Sequence, residues 1–445
     1  MTRRLPPSIL RAAIAIVAVI AVDGAAPAAR GPAHLETAQA AASWIHASAI
    51  TTDHGIVWPA DPGDPKSVAP NLYSGTPGVV LFLLELHHAT GDARHLRDAA
   101  RGADHLMATL DTEQGAGLYT GLAGAGYALG EVHRATGEAK YRDGMKKVVA
   151  MIEASAQPAG KGVEWTSVTD IISGTAGTGL FLLHASKVLG DDNALALAKK
   201  AGVRLLEMGQ SEAGGVKWAM SADFPRMMPN FSHGTAGIAY FLATLYDATK
   251  DRAFLDGALA GAAYLKNVAQ TEGDVCLIFH HEPEEDGRKL FYLGYCHGPA
   301  GTARLWYRLY KSTGDKAWLD WTEKSARGIL ASGIPEHRTA GFWNNVSQCC
   351  GSAGVASFML ALHQVTGKPE YLAFARKVTD DLVSRATVDA AGARWVQAEH
   401  RTRPELLVAQ TGWMQGASGI GAWLVQLDGF ERKRERFVKL PDDPF

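Results

Sequence analysis

A motif with two glycines three residues apart occurs seven times along the chain, and this repeat constrains the fold more than any other feature. The fourth copy, for example, reads Ser-His-Gly-Thr-Ala-Gly. Successive first glycines are 46, 53, 60, 64, 53 and 65 residues apart, which corresponds to one supersecondary unit per copy. The seven pairs are Gly75 and Gly78, Gly121 and Gly124, Gly174 and Gly177, Gly234 and Gly237, Gly298 and Gly301, Gly351 and Gly354, and Gly416 and Gly419.

Each copy opens an apolar run of helical length, and helices with so little polar surface belong in the interior of a protein. Most runs stop at a glycine such as Gly91 or Gly137, which is typical of a left-handed C-terminal cap. More charged, amphipathic segments then follow at 93–110, 141–154, 194–208, 253–269, 317–330 and 370–383. We therefore predict an all-α fold for residues 29–430, an α/α toroid or barrel of seven helical hairpins with about 14 helices in inner and outer rings. A helix at about residues 35–50 would begin the ring.

The inner helices of such a toroid begin close together at one end. Glycine there permits a positive φ and lets backbones approach closely, so building the barrel is a sufficient role for the glycines themselves. The residues just before each first glycine differ among the seven copies. They are therefore the positions that carry information about function.

Cysteines and histidines occupy these positions in the fourth, fifth and sixth copies, at His233, Cys296, His297, Cys349 and Cys350. The toroid brings the three copies together at one end of its pore. Three thiolates with one exchangeable position match a zinc site, because soft sulfur ligands suit this ion and an open position marks a catalytic centre. We predict one Zn²⁺ bound by Cys296, Cys349 and Cys350.

Other uses of these cysteines remain open at this point. Cys349 and Cys350 are adjacent and would form a strained disulfide, or the cysteines are buried apolar residues. His297 is an alternative ligand in place of one thiolate. Cys276 lies in the apolar sequence Val-Cys-Leu-Ile-Phe, outside the motif, and we interpret it as an inert core cysteine.

The motifs resemble those of the lanthionine synthetase C family, which comprises the lanthipeptide cyclases and their eukaryotic relatives. Its members have seven such repeats, with Ser-His-Gly in the fourth, Trp-Cys-Tyr-Gly in the fifth and Cys-His-Gly in the sixth. The likeness spans nearly the whole chain after the first residues. By position, the family's general acid/base histidine matches His233, and the aspartate four residues before the third-copy glycine matches Asp170. Its zinc ligands match Cys296, Cys349 and, where histidine is usual, Cys350.

The resemblance implies a zinc-dependent Michael addition, in which a cysteine thiolate attacks dehydroalanine or dehydrobutyrine and forms a thioether. The partner would be a thiol-containing peptide or a small thiol. His233 would protonate the resulting enolate, and Asp170 would orient His233. Asp is also a favoured N-cap residue, so a structural role for Asp170 at the third inner helix is the alternative.

One departure from the family is Tyr292, which stands where cyclases place an arginine four residues before the fifth-copy cysteine; Arg288 is nearby but out of register. This departure leaves an exported zinc-thiol binding protein or a glutathione-like thiol transferase as an alternative function. An α/α-barrel glycoside hydrolase or lyase is the second alternative, although it would need a pair of carboxylates. His280, His281 and the acidic run at 282–286 are interpreted as a solvated loop.

The two ends of the chain differ from its centre. Arg3 and Arg4 precede an apolar run at 12–22 and small residues at 25–29, which predicts a signal peptide at residues 1–28 and export to the periplasm or the exterior. The apolar run is too short to span a bilayer, although an uncleaved anchor or an unstructured leader is the alternative. We expect residues 431–445 to form a charged C-terminal tail, in which the basic stretch 431–439 is exposed.

The overall composition excludes some partners. The chain has 445 residues, of which 47% are hydrophobic and 20% charged, as in soluble globular proteins. The formal net charge is −2 and the two signs are interspersed, so the one-sided basic surface that nucleic acid requires is missing. We expect no nucleic acid partner, no membrane span after cleavage, and a monomer.

Overall fold

Helices alternate between an outer and an inner ring throughout the part of the chain that the computed structural model describes, residues 33–113, 115–212, 214–224, 226–283, 290–338, 345–396 and 407–445. The predicted signal peptide lies outside these residues. The outer helices are α1 (Ala33–Ala47), α3 (Ala93–Thr109), α5 (Ala139–Ser155), α7 (Asp192–Met208), α9 (Arg252–Val268), α11 (Lys316–Ala331) and α13 (Pro369–Ser384). The inner helices are α2 (Thr76–Thr90), α4 (Leu122–Thr136), α6 (Thr175–Leu189), α8 (Thr235–Thr249), α10 (Pro299–Thr313), α12 (Ser352–Thr366) and α14 (Ala417–Glu431). The predicted α/α toroid is confirmed.

The local sequence explains where these helices begin and end. In α2 every residue from Thr76 to Leu86 is buried, as expected of an inner helix. The predicted stops are correct, since Gly91 has φ 72° and Gly137 has φ 73°. Several outer helices begin at an aspartate whose side chain accepts a hydrogen bond from a backbone N–H of the first turn. These N-cap residues are Asp92, Asp191, Asp251 and Asp315.

The seventh hairpin consists of the two ends of the helical region. Each inner helix from α2 to α12 packs against the outer helix that follows it, whereas α14 packs against α1. The first helix of the chain therefore completes the ring beside the last. Among the described residues, no helix has both the length and the apolar character needed to cross a membrane.

In the described part of the chain, four short antiparallel hairpins connect outer helices to the next inner motif. They were not predicted, because strands of three residues are too short to show an alternating pattern. The strand pairs are β1 (Ile50–Thr52) with β2 (Gly55–Val57), β3 (Gln157–Ala159) with β4 (Gly162–Glu164), β5 (Gln210–Glu212) with β6 (Gly215–Lys217), and β7 (Thr387–Asp389) with β8 (Gly392–Arg394). The register pairs Ile50 with Val57 in the first of them.

The segments that precede the seven inner helices are joined into a closed ring by backbone hydrogen bonds. Each segment donates an N–H to a carbonyl of the next segment, and the seventh donates to the first. The donor and acceptor pairs are Tyr73 to Tyr119, Tyr119 to Ile172, Ile171 to Ser232, Ser232 to Cys296, Cys296 to Cys349, Cys349 to Met414, and Met414 to Tyr73, at 2.8–3.2 Å. This ring of hydrogen bonds fixes the backbone of the residues just before each first glycine, which are the positions that differ among the seven copies.

The motif glycines are required for close approach. A Cβ on Gly234 would lie 1.4 Å from the carbonyl oxygen of Met228, and one on Gly237 would lie 2.1 Å from that of Phe231. The alternative reason, a positive φ, is wrong for the first glycine of each pair; Gly234, for example, has an extended φ of −151°. The glycines therefore let each inner helix begin directly against the ring.

Residues 437–445, which we call the C-terminal segment, do not form a solvated tail, and the expected exposure of 431–439 is wrong at Val438. After α14 the chain turns back and enters the toroid, where the segment contacts residues of α2, α4, α8 and α10. Val438 and Asp442 are buried, at 3% and 0% exposure. The apolar residues at 437, 438, 440 and 445 indicate burial of this segment, but the charged residues between and before them made the pattern difficult to recognise.

Buried histidines make the fold sensitive to acid. Burial is the main cause that lowers the pKa of His95 and of His184 to about 4. Between about pH 6.5 and 4 the unfolded chain binds protons at these histidines that the folded chain does not, so stability is complete above pH 6.5 and falls as the pH decreases. We expect the free energy of unfolding to drop by several kcal/mol across this window, at most about 6, since each of the two shifts contributes up to about 3 kcal/mol.

Urea unfolding between pH 4 and 8 measures this dependence. In His184→Asn the slope below pH 6.5 should become shallower, whereas His54→Asn, at an exposed position, should leave it unchanged. Equal slopes for the parent and His184→Asn would contradict the assignment.

Candidate functional site

Three cysteine side chains meet at the ring. Cys296 precedes α10, while Cys349 and Cys350 precede α12. The sulfur of Cys350 lies 3.0 Å from that of Cys296 and 3.3 Å from that of Cys349, and all three sulfurs lie within 4.8 Å of one another. Cys296 and Cys349 are buried and Cys350 is half-buried, so the cluster is accessible from the side of Cys350.

This cluster has the donor chemistry of a zinc site. The sulfurs are too far apart for a disulfide, whose S–S bond is about 2.05 Å, so the alternative of a Cys349–Cys350 bond is not found. Thiolates around zinc lie about 2.3 Å from the ion, which three sulfurs this close together can satisfy with small shifts. Among the described residues, His297 does not join the cluster. Cys276 is buried apart from it, and burial raises the pKa of this thiol to about 12, as expected of an inert core cysteine.

Cys349 is the hydrogen-bond acceptor at the centre of the cluster. It accepts hydrogen bonds from the thiol of Cys350 and, at 3.4 Å, from the phenol of Tyr73. Hydrogen bonds from Cys296 and Cys350 lower the pKa of Cys349 well below its usual range, whereas burial raises that of Cys296. Tyr73 in turn accepts a hydrogen bond from Gln415 at 2.8 Å. Tyr73 and Gln415 occupy the same motif positions as the cysteines. This shared position could have predicted that their side chains lie beside the cluster.

Asp170 and His233 form a second group on the ring. The Oδ2 atom of Asp170 lies 2.5 Å from Nδ1 of His233. Its Oδ1 atom accepts hydrogen bonds from the N–H groups of Ser173 and Gly174, at 2.8 and 2.9 Å. The interpretation of Asp170 as the N-cap of α6 is wrong, because Gly174 is the N-cap. One oxygen of Asp170 instead closes the turn before α6 while the other holds the histidine. Asp170 is fully buried, and the side chain of His233 is 26% exposed.

The environment of His233 favours its protonated form. Burial alone would lower the pKa of His233, but the hydrogen bond and negative charge of Asp170, with a smaller contribution from Cys349, raise it above its usual value. Because Nδ1 faces Asp170, Nε2 is the nitrogen available for proton transfer to another molecule.

Aromatic and histidine rings line one side of this group. The rings of His297 and His233 are 5.5 Å apart between centroids, and His280 lies 3.9 Å from His297 and 4.4 Å from Tyr292. The interpretation of His280 and His281 as part of a solvated loop is wrong, because they are only 7% and 3% exposed. The remaining residues of that loop, 284–289, including Arg288, lie outside the described residues.

A side chain of the fourth repeat anchors the segment that carries His280. The amide nitrogen of Asn230 donates to the carbonyl of Phe279 at 2.8 Å, and its oxygen accepts from Thr302 at 2.8 Å. Asn230 stands four residues before the first glycine of its copy, the position that Asp170 has in the third copy. The contact between Asn230 and Phe279 was not predicted from the sequence, although the position that Asn230 shares with Asp170 could have indicated a role for its side chain.

The family model described as "Lanthionine synthetase C-like protein" matches residues 66–439. The chain belongs to the lanthionine synthetase C-like family. The family resemblance predicted from the sequence is therefore confirmed, while no curated protein matches this member of the family.

Several solved structures have a fold similar to that of this lanthionine synthetase C-like chain. Nisin cyclase has a TM-score of 0.62 at 17% identity, over 92% of this chain and 95% of its own. An unsaturated glucuronyl hydrolase specific for heparin has a TM-score of 0.51 at 14% identity, over 91% and 99%. A family 76 α-mannanase from Bacteroides thetaiotaomicron has a TM-score of 0.52 at 12% identity, over 90% and 96%. At these identities the likeness concerns the fold alone.

Proposed function

We propose that this chain binds one zinc ion through Cys296, Cys349 and Cys350 and catalyses addition of a thiol to a dehydroalanine or dehydrobutyrine residue of a peptide. The observation that carries the proposal is the three-thiol cluster on the same ring as the Asp170–His233 pair. Family membership and the likeness to nisin cyclase support a peptide substrate. We also propose that the protein is exported, on the basis of residues 1–28.

The proposed reaction divides its tasks between the two groups. When bound, zinc would supply a Lewis acid that keeps a substrate thiol deprotonated near neutral pH. The thiolate sulfur forms a bond to the β-carbon, and the π electrons move to the carbonyl to give an enolate. His233 then donates the proton on Nε2 to the α-carbon, which regenerates the carbonyl and completes a thioether. Asp170 holds the imidazolium in place through Nδ1.

Tyr292 occupies the place of an arginine in the family's cyclases, so this position offers the enolate a phenol instead of a guanidinium. The phenol ring of Tyr292 packs against His280 and His297. Burial, with nearby His280, lowers the pKa of His297 well below its usual value, which keeps His297 uncharged. In this proposal His233, held by Asp170, is the proton donor that faces the substrate.

A dehydroalanine peptide with a free cysteine tests the reaction. Cyclisation leaves the mass unchanged and removes the thiol, so alkylation before and after incubation reports the product. A peptide without cysteine, incubated with glutathione, gains the mass of the thiol if addition is intermolecular. Zinc-loaded protein that accelerates neither reaction above a metal-free control would overturn the proposed activity.

The same experiment separates the alternatives. A zinc-thiol binding protein would retain the thiol without forming a thioether. For a glycoside hydrolase, the required second carboxylate is missing from the positions equivalent to Asp170, which are Asn71, Gly117, Asn230, Gly294, Ser347 and Gly412. Zinc content of the purified chain distinguishes that alternative, which predicts none.

Cys350→His tests why a thiolate stands where histidine is usual in the family. A third sulfur adds negative charge to the donor set, which should make a bound thiol more nucleophilic and more easily exchanged than histidine would. We expect turnover of Cys350→His to fall about tenfold with near-stoichiometric zinc retained. Turnover equal to that of the parent would show that the third sulfur has no kinetic role.

A further inference from the structure

The C-terminal segment occupies the inside of the toroid, held by polar side chains of the inner helices. The carboxylate of Glu85 on α2 accepts hydrogen bonds from the N–H groups of Phe437 and Val438, at 3.2 and 2.6 Å. The phenol of Tyr127 on α4 donates to the carbonyl of Lys439 at 2.7 Å. The segment is therefore bound along its backbone, which fixes the depth to which it enters.

Asp442 is the residue of this segment that reaches the ring. Its Oδ2 atom accepts hydrogen bonds from the phenols of Tyr295 and Tyr119, at 2.6 and 3.0 Å. Its backbone carbonyl accepts from Arg304 of α10 at 2.9 Å. Tyr119 belongs to the second repeat and Tyr295 to the fifth, so a single buried oxygen links two distant parts of the ring.

Both phenols belong to residues that adjoin the site. Tyr295 directly precedes Cys296, whose N–H donates to the carbonyl of Cys349 at 3.0 Å. The N–H of Tyr119 donates at 2.9 Å to the carbonyl of Ile172, in the turn that Asp170 closes. A shift of either phenol would therefore be transmitted to the cysteine cluster or to the Asp170 turn within one or two residues.

We propose that Asp442 is a positioning residue of the metal centre, which acts through Tyr295 to fix Cys296 relative to Cys349 and Cys350. The inference rests on the proposed zinc site. The side chain of Asp442 accepts from the two phenols and not from the cysteines, so its effect is on ligand geometry. The chain thus uses its own C-terminal segment to brace the ring from inside the toroid.

Metal affinity of the full chain tests this role, with Zn²⁺ and Co²⁺ as probes in competition with a chromophoric chelator. Asp442→Ala should weaken both affinities about tenfold and alter the thiolate-to-cobalt absorption, as outer groups behind metal ligands do. Asp442→Asn should restore values near the parent. Its amide oxygen still accepts both phenols, and Oδ1, which the amide nitrogen would replace, has no hydrogen-bond partner among the described residues.

Asp443→Asn is the control within the same segment, because Asp443 pairs with Arg436 at 2.8 Å and with Arg304 at 3.9 Å, whereas the two ring phenols donate to Asp442. It should lower the melting temperature of the metal-free chain without changing metal affinity or the cobalt spectrum. If Asp442→Ala does the same, the segment only stabilises the fold and the proposal is overturned. Should Asp442→Ala not fold, Tyr295→Phe removes the donor while keeping the ring, and the same comparison decides. A parent chain that binds neither metal would instead overturn the zinc site itself.

Discussion

Replacing Cys349 with alanine is expected to reduce zinc from about one ion per chain to a trace and to slow thiol addition at least about 10³-fold. Cys349 accepts hydrogen bonds from Cys350 and Tyr73, so its loss removes the sulfur around which the cluster is organised. Zinc content by atomic emission after gel filtration and the rate of thioether formation are the two measurements.

Cys276→Ala provides the control for removal of a buried thiol. Cys276 is 1% exposed and lies outside the cluster, so this variant should keep its zinc and its rate and lose only some stability. Full zinc occupancy in Cys349→Ala would remove the basis for the proposed centre. Equal loss of zinc in both variants would indicate a general effect of cysteine removal on folding.

The substitution His233→Asn is expected to lower the rate of thioether formation about 10²–10⁴-fold while zinc binding is retained. The reason is that His233 provides the proton for the α-carbon and is not one of the sulfur donors. Deuterium incorporation at the α-carbon during turnover in D₂O gives a second measurement, because enolate protonation must deliver a solvent-derived proton. A rate equal to that of the parent would assign the proton to another group.

The pH profile separates the roles of Asp170 and His233. His233 acts in its protonated form, so the rate should fall as the pH rises through its pKa, which Asp170 raises. In Asp170→Asn the raising charge is gone, and the descending limb should move to lower pH. A limb that stays in place would show that Asp170 only closes the turn through Ser173 and Gly174.

The fold was largely predictable from the sequence because its determinants are local and repeated. An apolar run after each glycine pair, with a glycine stop such as Gly91, specifies an inner helix regardless of what surrounds it. The cluster of Cys296, Cys349 and Cys350 was also predictable, since equivalent positions of neighbouring repeats must meet in a toroid. Because the repeats form a ring, residues at equivalent positions of neighbouring repeats lie close together in space.

Features that depend on a single contact were not predictable. His280 lies in a long connection with no repeat equivalent, and its burial beside His297 depends on Asn230 holding the backbone of Phe279. The C-terminal segment was missed for a related reason. Its charges indicated a solvated tail, whereas Glu85 and Tyr127 of distant helices supply the partners that make its burial favourable.

The pairing of α14 with α1 sets an order of events during synthesis of the chain. Until α14 has been made, α1 lacks the helix that covers its apolar side, and the hydrogen bond from Met414 to Tyr73 that closes the ring cannot form. The hydrogen bond from the N–H of Cys349 to the carbonyl of Met414 also cannot form before the last repeat is present. Six of the seven motifs can therefore emerge from the ribosome before the ring that carries the three cysteines is closed, and the last repeat determines when the proposed metal centre is complete.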